Sequence, residues 1–362
     1  MTLFLCGDVM TGRGVDQILA HPSGPRIFEP YVQDAREYVT LAEASHGPIP
    51  KPVIGPYIWG DALEQLARAD VRIINLETSV TTSDDYWQGK GINYRMHPLN
   101  IGCLTAARID VCVLANNHVL DFGYAGLTET VDSLTGAGLK TAGAGRTLAE
   151  AQAPAVVPLT DGARVIVLAF GTGSSGIPLD WGARDDRPGV DLLPDLSEAT
   201  ARQIAGRVRQ VRGPRDVVVV SIHWGSNWGY DVPSPHTRFA HWLIDGGVDV
   251  VHGHSSHHLR SIEVYGGRLI LYGCGDFIND YEGIEGYEQY RSDLALMYFA
   301  TLSGATGELT ALQMTPMQIG KMKLNAASHD DAAWLRGTLE RVSAPRGTRI
   351  ELTADGTLSL RW

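Results

Sequence analysis

The chain has 362 residues, 44% of them apolar and 20% charged, with 30 Lys and Arg against 41 Asp and Glu for a net charge of −11. This is a globular composition, which excludes collagen-like, coiled-coil and disordered chains, and a chain of this length buries enough surface to fold without disulfides or metals. An acidic balance with no clustered basic run argues against nucleic acid and anionic membranes as partners, because both are held by concentrated Lys and Arg.

The start, MTLFLCGDVM, has no charged leader segment, and no apolar run reaches the roughly 20 residues that span a bilayer. The expectation is a soluble, cytoplasmic protein. TLFLCGD at 2–8 reads as a strand running into a loop. Residues 21–57 are rich in Pro and Gly around a helical piece, YVQDAREYVTLAEAS, and read as an insertion or lid. WGDALEQLARAD at 59–70 predicts a helix, followed by the strand VRIINLE at 71–77. DVCVLANNH at 110–118 is a third strand, and GYAGLTETVDSLTGAG a helix with Gly residues suited to its C-cap. ARVIVLAFG, DVVVVSIHWG, VDVVHGH and RLILYGCGD continue the series. Their unbroken Val, Ile and Leu content predicts strands covered on both faces, as in an α/β protein. Residues 171–195 form a second long irregular segment, and DDAAWLRGTLERV then predicts a helix before the hairpin TRIELTADGTLSLRW, with Asp-Gly at its turn. Cys6, Cys103, Cys112 and Cys274 have no metal-site spacing and read as buried free thiols.

Asp8, Glu77, Asn117, His118, His223 and His254 all stand at carboxyl ends of predicted strands, where open α/β sheets place their ligands. Asp8 suits a metal or phosphate ligand, or a helix cap. Asn75 and Glu77 are two apart on a strand and share a face; a carboxylate there needs a cation, either a metal or a buried Arg such as Arg13 or Arg95. Asn117 offers a neutral oxygen to a metal, His118 a proton-transferring imidazole, and Asp121 a carboxylate to orient it; a helix N-cap with a solvated His is the alternative. His252, His254, His257 and His258 crowd into seven positions at one strand end, and neutral imidazoles are the commonest metal ligands. Carboxylate, amide and imidazole donors without thiolate favour Mn, Fe or Zn. Arg13, Arg95, Trp224 and Trp228 could line a substrate pocket, with Arg clamping a carboxylate or phosphate; packing is the other reading of the Trp residues.

Taken together, GDVMTGRG at 7–14, NLETSVT at 75–81, ANNHVLDFG at 115–123, HWG at 223–225, GHSSHH at 253–258 and LILYGCGDFINDY at 269–281 resemble the calcineurin-like metallophosphoesterase superfamily. Within it the chain resembles the CapA family, named for poly-γ-glutamate capsule biosynthesis, over residues 1–320. The resemblance implies a four-layer αββα sandwich across 1–325, with 326–362 as a helix and hairpin extension packed on it. It also implies one or two divalent metals at the edge of the sandwich. Asp8 and Glu77 would serve the first metal, Glu77 in the bridging position, and Asn117, His223 and His254 the second. His118 would be the catalytic imidazole, supported by Asp121, and His257 the second His of a GHxxH motif, with His258 as alternative. Where the superfamily has DxH, this chain has Asp8-Val9-Met10, and a thioether is a poor ligand for hard cations.

The function expected is a metal-dependent hydrolase that turns activated water on a phosphoester or on an amide or γ-glutamyl bond. Arg13, Asn75, Arg95, Trp224 and Trp228 are its expected substrate contacts, and the substrate is a small molecule or short polymer, an anionic one included. The alternative is a non-hydrolytic component of capsule synthesis that binds polymer or partner proteins.

Overall fold

Alternation along the valine-rich strands explains why they are apolar throughout. In the strand Val217–His223, Val217 and Val219 belong to one apolar cluster, while Val218, Val220 and Ile222 belong to another. The first cluster fills the space between two sheets and continues into helices such as Gly123–Gly136, through Leu127, Val131 and Leu134. The second lies against the helices Glu198–Val211 and Ser234–Asp245, through Ile204, Val208, Phe239 and Leu243. The computed structural model describes residues 1–362 and places each such strand between a sheet and a helical layer.

The smaller sheet has six strands, in the order Ile262–Tyr265, Arg268–Leu271, Val250–His254, Val217–His223, Arg164–Gly171 and Ala155–Pro158. Its four inner strands are parallel. The larger sheet has ten. Its parallel half is Thr2–Val9, Val71–Leu76, Val111–Val113 and Lys140–Ala142. Its antiparallel half runs from Thr2–Val9 through Leu294–Leu302 and Leu309–Ile319 to the hairpin Leu358–Arg361 and Arg349–Leu352. The helix Gly123–Gly136 packs on Lys140–Ala142 at the end of the larger sheet, through Leu127, Val131 and Leu134, giving the layers helix, sheet, sheet, helix.

Three expectations are refined. RLILYGCGD is not one strand. Arg268–Leu271 belongs to the smaller sheet and Asp276–Ile278 to the larger, so the chain crosses between sheets over residues 272–275. The crossing brings backbones so close that a Cβ on Gly7 would lie 1.6 Å from the Gly275 carbonyl oxygen, and Gly275 itself has φ +78°. The helix expected at 59–70 is one α-turn, Ala62–Gln65, continued by a 3-10 turn over Leu66–Arg68. The C-terminal hairpin continues the larger sheet as its edge, with Gly356 at φ +83° in the Asp-Gly turn. The insertion contains the expected helix, Arg36–His46, which buries Tyr38, Val39 and Ala42. All four cysteines are free and buried. No helix is long and apolar enough to cross a membrane.

Candidate metal centre

Strand register delivers the cluster. In the larger sheet Asp8 is level with Asn75 on one side and with Asp276 on the other. In the smaller sheet His223 is level with His254. Period-two alternation carries Ser221 and His223, and likewise His252 and His254, on the same face as Val217, Val219 and Val250, which point into the space between sheets. Carboxylates from one sheet thus meet imidazoles from the other, all of them buried.

Two groups of three ligand atoms form there, each within 4.8 Å: Asp8 with His223 and His254, and Asp8 with His257 and Asp276. Asp8 is common to both, and its Oδ2 is buried without a hydrogen-bond partner. The Asn75 amide donates to Asp8 Oδ1 at 2.8 Å and to Glu77 Oε2 at 3.0 Å, fixing both carboxylates. Asn116 donates to Asn75 Oδ1 at 3.0 Å and holds that amide in turn. Burial, followed by repulsion from Asp276, pushes the Asp8 carboxyl up to about 7, and burial with Asp8 beside it pushes Glu77 well above the usual carboxylate range. A cation removes that penalty.

A chain of hydrogen bonds fixes the imidazole tautomers. Burial pushes His223, His252 and His254 below the usual imidazole range, His252 to about 4, so all three are neutral near pH 7. His252 Nε2 lies 2.7 Å from the Cys6 carbonyl, which only accepts, so Nε2 carries the proton and Nδ1 is bare. Ser221 Oγ donates to that Nδ1 at 3.0 Å and accepts from His254 Nε2 at 2.9 Å. His254 Nδ1 is therefore bare, facing Asp8 Oδ1 at 3.9 Å and accepting from His223 Nδ1 at 2.8 Å. The donors run out at His223 Nε2, which stands 2.9 Å from Asn117 Oδ1 and 3.8 Å from Glu77 Oε1. Lone pairs converge there, and a cation relieves them.

Outer hydrogen bonds of this kind typically cost ~10–100-fold in metal affinity when removed. Ser221→Ala should therefore weaken metal binding by about that factor while leaving the number of sites unchanged, as read by calorimetric titration. An unaltered affinity would show that the relay does not govern His254.

His118 follows Asn117 and lies beside the cluster, its Nε2 3.9 Å from Glu77 Oε1. Asp121 Oδ2 accepts from His118 Nδ1 at 2.6 Å, as the spacing suggested. Burial pushes His118 down to about 4 against the pull of Asp121, so the ring is neutral near pH 7, and the Asp121 carboxylate, which only accepts, places its one proton on Nδ1. Tyr94 meets the ring edge-on, with centroids 4.5 Å apart.

Other expectations change. Asp276 is a member of the cluster that sequence reasoning passed over. The signal was present, since Cys274-Gly275-Asp276 repeats Cys6-Gly7-Asp8. Of the two His at the end of the GHxxH motif, His257 joins the cluster, with Nδ1 2.9 Å from Asp276 Oδ1. His258 faces its own loop and stacks on Tyr290. Met10 is buried and accepts from the Tyr281 hydroxyl at 3.6 Å. Lys90 was also missed. It is held by Asp121 and the Asn117 carbonyl, with Nζ 2.9 Å from His118 Nδ1, and a Lys between two glycines gives no hint of burial.

Of the expected substrate contacts, two, Arg13 and Trp228, line a cavity beside the cluster. Asn75 ties the two carboxylates together. Trp224 is in the core, donating to the Tyr272 carbonyl at 3.0 Å and stacking on His236, because residue 224 faces opposite to residue 223. Arg95 is bound to Asp84 and the Ser83 carbonyl, both at 2.6 Å, over the Phe122 ring and away from the cluster. Arg13 pairs with Asp280 and Glu29 rather than with Glu77. Trp228 does line a cavity beside His257.

Substituting Asp276→Asn should remove the Asp8–His257–Asp276 pocket while leaving Asp8–His223–His254 intact. Metal stoichiometry of the protein should then fall from two to one, by elemental analysis of dialysed samples. A variant that still takes up two ions would exclude Asp276 as a ligand, and a parent that takes up a single ion would refute the two-ion reading.

A two-sheet α/β sandwich with a buried histidine–carboxylate cluster at its strand ends is the class that the fold and site define. More narrowly, the chain belongs to the family described as bacterial capsule synthesis protein PGA_cap, whose profile matches residues 2–281. A protein of Mycobacterium tuberculosis named "Probable polyglutamine synthesis accessory protein" is 49% identical, over 99% of this chain and 96% of its own length. The PGA biosynthesis protein CapA of Bacillus subtilis is 28% identical, over 86% of this chain and 70% of its own. Among solved structures, a 5'-nucleotidase precursor from Thermus thermophilus overlays with a TM-score of 0.47 at 13% identity, covering 93% of this chain and 58% of that one, a likeness too loose to argue from.

Proposed function

We propose that the protein is a metal-dependent hydrolase of the metallophosphoesterase type and that its bond is a phosphoester. The observation that carries this reading is the sharing of Asp8 between two adjacent ligand groups. Neighbouring cation positions with a common carboxylate suit in-line displacement at phosphorus, where attacking and leaving oxygens both need charge stabilisation. Asp8, Glu77, Asn117, His223 and His254 would hold one ion, and Asp8, His257 and Asp276 the other. When bound, such ions supply Lewis acidity and a water acidic enough to act as nucleophile near neutral pH. Asn75 holds Asp8 and Glu77 in place. His118 keeps a bare Nε2 toward the cluster, positioned to take a proton there and return it to the departing oxygen. Asp121 keeps the other proton on Nδ1 and stabilises the imidazolium while it exists.

The test is activity of protein loaded with Mn, Fe or Zn on p-nitrophenyl phosphate, a bis-ester of the same phenol, and a γ-glutamyl anilide. Turnover of a phosphoester that chelation abolishes and metal restores is the expected result. Turnover of the anilide alone would move the bond to the amide. A second reading, a polymer-handling component without hydrolysis, draws on the printed names of the relatives; stable metal loading with no turnover of any substrate would favour it.

A further inference from the structure

The chain exposes eight large apolar side chains, and four of them line one cavity. Tyr31, Ile92, Ile284 and Tyr287 are 95%, 41%, 46% and 47% exposed, and all face a cavity of about 820 Å³. Scattered exposed hydrophobics need no explanation, but a cluster around a concave site marks a ligand surface. The cavity floor reaches His257 and Asn279, and Asn279 donates to Asp276 at 2.8 Å, so it opens onto the metal centre. Trp228 stacks on Tyr287 with centroids 4.0 Å apart, adding a flat wall.

Charge around the same cavity is unfavourable to an anion. Its lining carries two guanidinium groups, Arg13 and Arg291, and two imidazoles, His46 and His257, against four carboxylates, Glu29, Glu282, Glu288 and Asp293; His46 lies 2.7 Å from Glu282 and His257 2.9 Å from Asp276. Neither guanidinium is spare. Arg13 is tied to Asp280 and Glu29, and Arg291 to Asp293 and Asp331. A polyanion threading the cavity would meet like charge, on a chain that is already −11 overall.

We infer that the substrate has one anionic group, bound at the metal centre, joined to an uncharged flat or apolar remainder that the aromatic cavity holds. An aryl-type phosphoester fits, and an oligo-γ-glutamate does not. The anionic end rests on the hydrolase reading; the uncharged end rests on the cavity alone.

Phenylphosphonate and methylphosphonate share a non-hydrolysable anion and differ in the ring, so calorimetry on Mn-loaded protein isolates the cavity. Phenylphosphonate should bind at least about tenfold tighter. The double variant Tyr31→Ser/Tyr287→Ser should lose that advantage, keep the methylphosphonate affinity and keep the parent melting temperature. Tetra-γ-glutamate should not compete with phenylphosphonate. Equal binding of the two phosphonates, or competition by the tetramer, would overturn the inference. If neither phosphonate binds, the metal reading fails, and acetanilide, an uncharged ring, decides the cavity. Acetanilide binding lost in the double variant would uphold the uncharged half, and no acetanilide binding would overturn it.

Discussion

Replacing His223 and His254 together with Ala should abolish metal binding at the Asp8–His223–His254 group while leaving the chain folded. The argument is geometric. These two imidazoles are level on adjacent parallel strands, 2.8 Å apart through their Nδ1 atoms, and they face the carboxylates across the space between sheets. Both are buried and neutral, the state a ligand needs. Removing an outer hydrogen bond costs ~10–100-fold in affinity, so losing two direct ligands should exceed ~100-fold. Elemental analysis after dialysis, with circular dichroism as the folding control, reads the outcome. A folded double variant with the parent's metal content would show that His223 and His254 hold no metal.

His118→Ala should lower turnover by ~10²–10⁴-fold, the usual contribution of a positioned proton-transfer group, with metal content unchanged. His118 belongs to neither ligand group. Its Nδ1 is committed to Asp121, and its Nε2 stands 3.9 Å from Glu77, close enough to serve a group bound beside the cluster. If metal content falls in step with activity, His118 is a ligand and the assigned role is wrong. Asp121→Asn offers an independent check. The amide cannot stabilise a protonated ring, so it should reproduce much of the loss without removing the imidazole.

The sandwich was legible because its strands are buried on both faces and therefore apolar along their length. The site was legible to the extent that polar residues recur at their carboxyl ends. Period-two alternation separates His223 from Trp224, and applying it to HWG would have sent the Trp to the helical side. Asp276 escaped because RLILYGCGD scans as a single strand, whereas its second half changes sheets through Gly273 and Gly275. Lys90 was invisible because burial of an ammonium depends on a carboxylate, Asp121, supplied from 31 residues away. Arg13 and Arg95 read as partners for Glu77 or as substrate clamps, and pattern alone cannot tell that Asp280, Glu29 and Asp84 pair with them.

The terminal hairpin has a bearing on solubility. Arg349–Leu352 forms the outer margin of the ten-stranded sheet; it is four residues long, with exposed charges at Arg349 and Glu351. A short, charged margin is a poor template for another chain. Its partner Leu358–Arg361 covers the middle of Leu309–Ile319, an eleven-residue strand, through Gln313 and Met314. Cutting the chain before residue 349 would bare unpaired backbone in the middle of that long strand and replace a guarded margin with an adhesive one. By that argument the last fourteen residues would guard against self-association, a service separate from the candidate metal centre.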